Sequence, residues 1–441
     1  MTTTRFAPSP SGYLHIGNFR AALMNYLLSR KLGGTFILRV DDTDVQRTKE
    51  EYVTATKEDL TWLGISWDRV ERQSDRLDRY DAAAARLREM GLLYESFETP
   101  TELELKRKKQ LNMGKPPVYD RAALTLSEAE KDVLRAERGK GYWRFKLDHT
   151  RIEWVDGILG AISIDASSVS DPVIIRGDGQ YLYTLASVVD DLEMGITHVV
   201  RGSDHVTNTA TQIQMMEALG GNIPTFAHHS LLTGPQGEGL SKRFGTLSLR
   251  EMRKEGIVPE ALISLMARLG SSQPVELKTE IDAVAEDFEL SHFGTAPTKF
   301  DKGDLFPLTA RYLQNLPLKA VANNVADAGV PADYAEPFWM VVRDNITTLN
   351  DLSDWWTLCS EGAEPEISDE DSEFVSHALA LLPDGPFSGE SWDNWTQAVK
   401  VSTGRKGKSL FMPLRKALTG KSQGPDMSAL LPLLQVIKAK H

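Results

Sequence analysis

The chain has 441 residues, of which 41% are hydrophobic and 25% are charged, the composition of an ordinary globular protein with more than one domain. A net charge of −12 argues against a surface coated for nucleic acid, and a single cysteine, Cys359, excludes both an internal disulfide framework and a multi-cysteine zinc site. The sequence has no apolar run of membrane-spanning length and no secretory signal, so we expect a cytoplasmic protein of about three domains.

The first fifty residues alternate between strand and helix patterns. The segment TTTRFAP predicts a strand, and apolar residues at helical spacing from Phe19 to Leu27 predict an amphipathic helix. Asn18 is the predicted N-cap of this helix, and Gly33-Gly34 is its predicted stop. The apolar run TFILRV then predicts a buried parallel strand. This βαβ order places a ligand site between the end of the first strand and the start of the helix.

A different pattern interrupts the alternation. Helical segments and short strand-like pieces such as YWRFKL and ILGAISI occupy residues 78–180, and the parallel-sheet pattern returns around 172–200 with PVIIR and THVVRG. We therefore interpret 78–180 as an insertion between two halves of one α/β domain. From about residue 245 the pattern is mainly helical, and Trp355-Trp356 and Trp392–Trp395 are the expected core aromatics.

Charge is unevenly placed in the helical part of the chain. Residues 361–373 carry seven acids and no base, whereas 402–441 carries eight bases and a single acid, Asp426. A solvated basic face and a surface for a polyanion both fit this pattern.

The loop SPSGYLHIGN contains Gly12, His15 and Gly17 just before the first predicted helix. Backbone N–H groups at a helix N-terminus bind anions, and glycines let a phosphate approach closely. A histidine there can donate to a phosphate oxygen as negative charge develops. The alternative is a glycine turn with a structural histidine, and the loop alone leaves both interpretations open.

A second glycine-rich loop, GLSKRFGT, places serine, lysine and arginine side by side in residues 239–246. A lysine on such a loop can move onto a leaving pyrophosphate, although a solvated surface loop has the same composition.

Two further clusters lie at or just after the ends of predicted strands. Asp41, Asp42 and Asp44 could bind Mg²⁺ or a substrate ammonium group, or could cap the next helix. Arg201, in VVRGSDH, could hold a carboxylate through two hydrogen bonds. The neighbouring pair His228-His229 is expected to be structural, because adjacent strand residues point in opposite directions.

Taken together, RFAPSPSGYLHIGNFRAAL, FILRVDDTD, VVDDLEMGITHVVRGSDH and LSKRFGTLS resemble the glutamyl-tRNA synthetases of the bacterial type. These are class I aminoacyl-tRNA synthetases, a class named by its H-I-G-H and K-M-S-K-S motifs. The resemblance covers nearly the whole chain and includes FETPTELE in the insertion and PLRKALTG near the C-terminus. The two motifs in the family's order favour a phosphate site over a simple glycine turn.

The resemblance implies an α/β Rossmann-like catalytic domain over residues 1–77 and 181–235. An inserted α+β domain at 78–180 would bind the tRNA acceptor end, and a linking domain at 236–305 would carry the LSKR loop and contact the tRNA stem. An all-α anticodon-binding region would follow at 306–441.

The implied reaction has two steps. The α-carboxylate of L-glutamate attacks the α-phosphate of ATP, with Mg²⁺, to give glutamyl-adenylate and pyrophosphate, and the terminal ribose hydroxyl of glutamate tRNA then takes the glutamyl group. Whether glutamine tRNA is also charged is left open. Because LYESFETP lacks the cysteines that some relatives carry there, no zinc is expected, and we expect a monomer, as for most relatives.

The resemblance also assigns residues to the ATP half of the site. His15, Gly17 and Lys242 are the implied catalytic residues. The implied ATP-binding residues are Gly12, His15, Gly17, Asn18, Leu240, Ser241, Lys242 and Arg243.

On the glutamate side, Arg5 would pair with the side-chain carboxylate, since a guanidinium fork fits that group. Ser9 and Asp41 would contact the α-amino end, and Tyr183 and Arg201 would line the same pocket. Glutamine would be rejected because its neutral amide leaves an arginine unpaired.

This sequence departs from the family pattern at three positions. Asn18 replaces the last histidine of the first motif, and Gly239 replaces the first lysine of the second, which leaves more to Lys242. Asp41 stands where relatives usually have glutamate, which shortens its reach to the amine.

Other members of the class and one unrelated kind of enzyme use similar motifs. A glutaminyl-tRNA synthetase is disfavoured by the PSPSGY text, and the short enzyme that glutamylates a modified tRNA base lacks an anticodon domain. A small-molecule nucleotidyltransferase also uses an H-x-G-H loop but needs no RNA-binding region. A catalytically inactive RNA-binding relative is disfavoured because His15 and Lys242 are both present.

Overall fold

A computed structural model describes residues 1–240 and 247–440. The chain divides into two compact units. The first contains Met1–Met252 and Leu262–Asp301, and the second contains Arg253–Ala261 and the chain from Lys302 onward. Within the described ranges, no helix has the length and apolar character needed to cross a membrane.

The first unit begins with a parallel sheet, as predicted. Its elements are β1 (Thr3–Phe6), α1 (Ile16–Lys31), β2 (Thr35–Val40), α2 (Glu50–Trp62) and β3 (Arg69–Arg72), and the strand order is β1-β2-β3. The side chains of β2 are almost entirely buried, which explains why TFILRV is apolar throughout. Gly33 follows the C-cap of α1 and has a positive φ of 58°, as predicted for a glycine that stops a helix.

The next elements form antiparallel sheets, in contrast to the first three strands. They are α3 (Leu77–Glu89), β4 (Leu93–Ser96), α4 (Pro100–Asn112), α5 (Glu128–Arg138), β5 (Tyr142–Phe145), β6 (Arg151–Asp156), β7 (Gly160–Asp165) and β8 (Val173–Ile175). One sheet has the order β4-β5-β8, and β6 and β7 form a hairpin. The change from parallel to antiparallel pairing is what an α+β insertion would produce.

The chain then returns to the α/β pattern. The elements are α6 (Tyr183–Glu193), β9 (His198–Gly202), α7 (Val206–Leu219) and β10 (Thr225–His229), and β9 and β10 are parallel. β9 lies beside β1, since the backbone N–H of Thr197 donates to the carbonyl of Thr3 at 2.9 Å. The strands that follow β1 are added on one side of it, and β10 is added on the opposite side of β9. A topological switch point therefore lies between β1 and β9.

The elements over residues 232–299 are short. They are β11 (Leu232–Thr233), α8 (Leu249–Lys254), α9 (Pro259–Met266), α10 (Ile281–Glu286) and β12 (Thr298–Lys299), with β11 and β12 parallel.

The second unit is helical. Its helices are α11 (Leu305–Gln314), α12 (Leu318–Asp327), α13 (Ala332–Val342), α14 (Asp351–Glu361), α15 (Ser372–Ala380), α16 (Ser391–Thr403), α17 (Lys408–Thr419) and α18 (Met427–Leu430). Trp355, Trp356, Trp392 and Trp395 belong to one buried apolar cluster, so the prediction that they are core residues is confirmed.

Candidate active site

A cavity of about 400 Å³ lies at the switch point, where β1 and β9 end. It is lined by seven of the residues predicted for the site: Arg5, Ser9, His15, Gly17, Asn18, Tyr183 and Arg201. Gly12, Asp41 and Leu240 do not line it. Ser241, Lys242 and Arg243 lie outside the described residues.

His15 is the N-cap of α1, and the prediction that Asn18 has this role is wrong. The imidazole Nδ1 accepts from the backbone N–H of Gly17 at 3.1 Å and of Asn18 at 3.4 Å. Asn18 is the third residue of the helix, and its Oδ1 accepts from the backbone N–H of His15 at 3.3 Å. The reciprocal pair is a capping box with histidine in the usual place of serine or threonine. The rule that favours asparagine as a cap therefore pointed three residues too far along the chain.

The capping contact sets the chemistry of the His15 ring. Burial lowers the pKa of His15, which favours the neutral form. Because Nδ1 accepts two backbone hydrogen bonds, the proton of the neutral ring lies on Nε2. A Cβ at Gly17 would come within 2.9 Å of the ring carbon Cε1, so glycine is needed there for the ring to lie over the helix end. The first backbone N–H groups of the helix already have acceptors, because Gly17 and Asn18 donate to the His15 ring and Ile16 donates to the carbonyl of Leu247. The donor of this loop that suits an anion is therefore the Nε2–H of the His15 ring.

The first motif is joined to the residues that follow the second. The backbone N–H of Ile16 donates to the carbonyl of Leu247 at 3.1 Å, and that of Leu249 donates to the carbonyl of Leu14 at 3.0 Å. The end of the LSKRFGTLS segment thus lies against the start of α1.

Arg201 is 6% exposed, and its acceptors among the described residues are all neutral. Nη1 donates to the hydroxyl of Tyr183 at 2.9 Å, and Nη2 donates to Thr209 and Gln212, each at 2.7 Å. Nε donates to the Nε2 atom of His228 at 3.3 Å. Burial lowers the pKa of the guanidinium, since no carboxylate of the described residues is within ion-pair distance. The cavity therefore contains a cation whose charge is left for an anionic ligand.

Arg5 differs from Arg201 because its charge is matched within the chain. Its Nε and Nη2 atoms donate to the two carboxylate oxygens of Asp191 at 3.0 and 3.3 Å. Asp191 also accepts from Nη1 of Arg39 at 2.7 Å. Although burial raises the pKa of Asp191, the two arginines hold it below its usual value. Arg5 is thus a rigid part of the cavity wall.

Asp41 is connected to this wall through Arg39 rather than lining the cavity itself. Its carboxylate accepts from Nε of Arg39 at 2.6 Å and from Nη2 at 3.0 Å. Burial raises the pKa of Asp41 to about 6, and the nearby Arg39 only partly opposes this effect. The chain Asp41–Arg39–Asp191–Arg5 was not visible in the sequence, because no spacing rule links its members.

Asp42, a second member of the predicted cluster of aspartates, has a structural role. It accepts from the backbone N–H and hydroxyl of Ser74, both at 2.8 Å, and from Nε of Arg72 at 3.0 Å. Of the alternatives left open for this cluster, capping of the next helix is excluded, since Lys49 is the N-cap of α2 and no side chain among the described residues caps that helix. Across the described ranges, no group of three His, Cys, Asp or Glu residues could hold a metal ion.

Sequence reasoning missed several cavity residues. Asn25 lines the cavity and donates to the carbonyl of Val200 at 2.7 Å, which ties α1 to β9. His229, expected to be only structural, also lines the cavity, and His228 contacts Arg201. The position of these histidines at the end of a parallel strand was a signal that could have placed them near the site.

The fold is that of a class of enzymes that act on tRNA. A family model described as the catalytic domain of class I tRNA synthetases (E and Q) matches residues 1–306, and one described as an anticodon binding domain matches residues 312–436. The chain belongs to the class I tRNA synthetases of this group, whose members use ATP. The predicted family and fold class, an α/β catalytic domain followed by a helical anticodon-binding region, are confirmed.

The similar proteins are of one kind. Glutamate–tRNA ligase 1 of Roseobacter denitrificans is 72% identical over 100% of both chains. Glutamate–tRNA ligase 1 of Ruegeria pomeroyi is also 72% identical, over 100% of this chain and 99% of the relative. A glutamate tRNA ligase from Elizabethkingia meningosepticum, solved in complex with its amino acid, superposes with a TM-score of 0.84 at 27% identity, covering 100% of this chain and 97% of that one.

Proposed function

We propose that this chain joins L-glutamate to the 3′ end of glutamate tRNA in an ATP-dependent reaction that supplies protein synthesis. The observation that carries the proposal is the buried guanidinium of Arg201, held by neutral acceptors in a cavity that also contains the capping histidine of α1. Full-length similarity to glutamate–tRNA ligases supports the same substrate.

Glutamate would enter with its side-chain carboxylate toward Arg201, Tyr183 and Arg5. A carboxylate neutralises the buried charge of Arg201, whereas the neutral amide of glutamine leaves that charge uncompensated. Ser9 would receive the α-amino group. Asp41 would add negative charge near this end from outside the cavity lining, through its contact with Arg39.

ATP would bind with its phosphates at the start of α1. The Nε2–H of His15 would donate to a phosphate oxygen, Gly17 would keep the ring in place, and Gly12 and Asn18 would complete the loop around the nucleotide. From the second motif, Leu240, Ser241, Lys242 and Arg243 would contact ATP. Mg²⁺ would arrive bound to the ATP phosphates as part of the substrate.

In the first step, the α-carboxylate of glutamate attacks the α-phosphorus and pyrophosphate leaves, with Lys242 and His15 stabilising the charge that develops on the phosphate oxygens. In the second step, a ribose hydroxyl of the terminal tRNA nucleotide attacks the glutamyl carbonyl, and AMP leaves. The residues act by orientation and by charge stabilisation, because the adenylate itself carries the activated bond.

The rest of the chain would bind the tRNA. Residues 78–180 would hold the acceptor end, 236–305 would contact the stem, and 306–441 would read the anticodon, around a catalytic domain of residues 1–77 and 181–235. We further propose that the enzyme is a monomer and acts in the cytoplasm.

Charging of purified tRNAs with labelled glutamate tests the proposal. Label should be transferred to glutamate tRNA and should not form a stable product without RNA. Attachment of glutamine instead, or turnover that needs no RNA, would contradict it and support a glutaminyl enzyme or a nucleotidyltransferase. A parallel reaction with glutamine tRNA decides whether that tRNA is a second substrate.

A further inference from the structure

His228 is fully buried, and its ring accepts a hydrogen bond from Nε of Arg201, the guanidinium nitrogen bonded to the aliphatic part of the side chain. The guanidinium Nε–H points at the imidazole Nε2 at 3.3 Å, and the hydroxyl of Thr209 lies 2.9 Å from the same ring atom. The other two nitrogens of Arg201 are held by Tyr183, Thr209 and Gln212. With acceptors on all three sides, the guanidinium plane has one orientation.

Asp156 fixes the state of this histidine. The imidazole Nδ1–H donates to Oδ2 of Asp156 at 2.5 Å, while Oδ1 accepts from the backbone N–H groups of His228, Ile158 and Leu159, each at 3.0 Å. Although burial raises the pKa of Asp156, these hydrogen bonds lower it to about 2, so the carboxylate is ionised and only accepts. The ring proton is therefore kept on Nδ1, and the lone pair of Nε2 faces Arg201.

The state of the ring matters because Arg201 is a cation. An Nε2 that carried a proton would oppose the Nε–H of Arg201 and push the guanidinium out of its plane. An absent Nε2 would leave a buried N–H without an acceptor and let the side chain rotate. Asp156 is the last residue of β6, so the pair also connects the β6–β7 hairpin to the cavity.

We propose that His228, held by Asp156, is a positioning residue that orients Arg201 toward the side-chain carboxylate of glutamate. The inference rests on the proposed function, since it takes Arg201 as a ligand of that carboxylate. It adds a determinant of amino-acid recognition that does not itself touch the substrate.

Two isosteric substitutions separate this role from simple packing. In His228→Asn the amide nitrogen takes the place of Nδ1 and still donates to Asp156, but nothing occupies the position of Nε2. In His228→Gln the amide oxygen reaches the position of Nε2 and still accepts from Arg201. Both variants lose the ring, so a packing role predicts similar defects in both.

The variants are compared by steady-state charging of glutamate tRNA, with separate titrations of glutamate and ATP and a thermal unfolding midpoint for each. We expect His228→Asn to raise the KM for glutamate by about 10- to 100-fold, the range for a lost hydrogen bond to a charged group. The KM for ATP should stay within about twofold, and His228→Gln should stay within about threefold of the wild type on both substrates. His198→Asn, a half-buried strand histidine outside the cavity, serves as the matched control and should leave both KM values unchanged.

Equal increases in the KM for glutamate in His228→Asn and His228→Gln would overturn the positioning role. Arg201→Met separates the two proposals: if it leaves the KM for glutamate unchanged, the proposed role of Arg201 fails, and this inference fails with it. If Arg201→Met raises that KM and His228→Asn does not, only the inference fails. Asp156→Asn is a milder second test, because the amide keeps an oxygen for the backbone N–H groups, and we expect a KM increase of about three- to tenfold.

Discussion

The cavity of the first unit and the basic segment of the second use charge in opposite ways. In the cavity, Arg5 is 4% exposed and bound to a carboxylate, while Arg201 is 6% exposed and, within the part of the chain that the structure describes, bound to neutral groups only. In the second unit, bases from residue 402 onward pair with the acidic segment 361–373, and these pairs are half-buried or exposed: Arg405 with Asp371, Lys416 with Glu366 and Lys438 with Glu364.

The difference shows which charges carry functional information. Burying a charge without an ionic partner costs several kcal/mol, so Arg201 reduces stability unless a ligand supplies the opposite charge. An exposed ion pair contributes about 0–1 kcal/mol and is easily rearranged. The chain itself thus partly neutralises the uneven charge of its last eighty residues. Buried Arg201, which has no ion pair among the described residues, is the stronger indication of a ligand.

The largest effect is expected for Arg201→Met. The substitution keeps the apolar stem and removes the buried charge, so kcat/KM for glutamate should fall by about 10³-fold, as for the loss of one partner of a buried ion pair. Initial rates of tRNA charging at varied glutamate and at varied ATP would show whether the loss falls on glutamate alone.

Arg30→Met is a suitable control for this experiment, because Arg30 lies near the far end of α1 and contacts Ser66 and Tyr26 instead of the cavity. If kcat/KM for glutamate falls less than tenfold in Arg201→Met, the buried charge does not bind the substrate. The contrast between the buried and the exposed charges would then say nothing about function.

Gly17→Ala should produce the next largest effect. The new Cβ would lie 2.9 Å from Cε1 of His15, so the ring must leave its place at the end of α1. Loss of a single positioned donor to the phosphates should lower kcat by about 10²- to 10³-fold, with little change in the KM for glutamate. The measurement is the rate of adenylate formation, detected as ATP–pyrophosphate exchange in the presence of tRNA.

Gly389→Ala provides the matched control, since a Cβ at Gly389 meets no atom within 4 Å. If Gly17→Ala and Gly389→Ala behave alike, the placement of the His15 ring is not what limits the reaction.

The sequence predicted the parts of the molecule that depend on local pattern. The βαβ start, the buried strand TFILRV and the tryptophan core follow from periodicity, and the structure has all three. The motif residues His15 and Arg201 were also found, because His15 lies in the loop after a parallel strand and Arg201 lies near the carboxyl end of another. Their partners could not be found in this way. Arg5 and Asp191 are 186 positions apart, and His228 and Asp156 are 72 apart, so only the folded chain brings them together.

The capping role of His15 was missed for a different reason. Cap preferences are averages over many helices, and they favoured Asn18 over a histidine. The structure uses both residues, in reciprocal hydrogen bonds, and the histidine gains a fixed tautomer from the arrangement. Local rules therefore identified the right residues and assigned them the wrong positions on the helix.

Asp41 allows a smaller, pH-dependent test of the buried charges. Its pKa is raised to about 6 in the folded chain from an ordinary value of 3.8. A raised carboxyl pKa means that the folded state binds the extra proton, so the stability from this group is present below pH 4 and is lost as the pH rises through 6. Relative to Asp41→Asn, the free energy of unfolding of the wild type should fall by about 1 kcal/mol between pH 5 and pH 7.5. Thermal unfolding of both proteins would show this as a change of about 2 °C in the difference between their midpoints.

A constant difference between the two proteins across this pH range would show that Asp41 is ionised throughout. The positive charge of Arg39 would then fully offset the effect of burial on the pKa of Asp41. The ionised network behind Arg5 would cost less stability than the raised pKa indicates.

The smallest effect concerns the exposed bases. Lys406 and Lys408 have no acidic partner among the residues that the structure describes, whereas Lys438 pairs with Glu364 at 2.8 Å. If unpaired bases contact tRNA phosphates, the Lys406→Ala/Lys408→Ala double variant should bind glutamate tRNA about three- to tenfold more weakly, with a shallower salt dependence. Lys438→Ala should bind as the wild type does, since that charge is already used within the chain. Arg415 is left unchanged because it is partly buried and donates to the carbonyl of Pro425. Equal binding by all three proteins at several salt concentrations would mean that the basic segment is a solvated face, and that only the buried charges of this molecule mark a binding site.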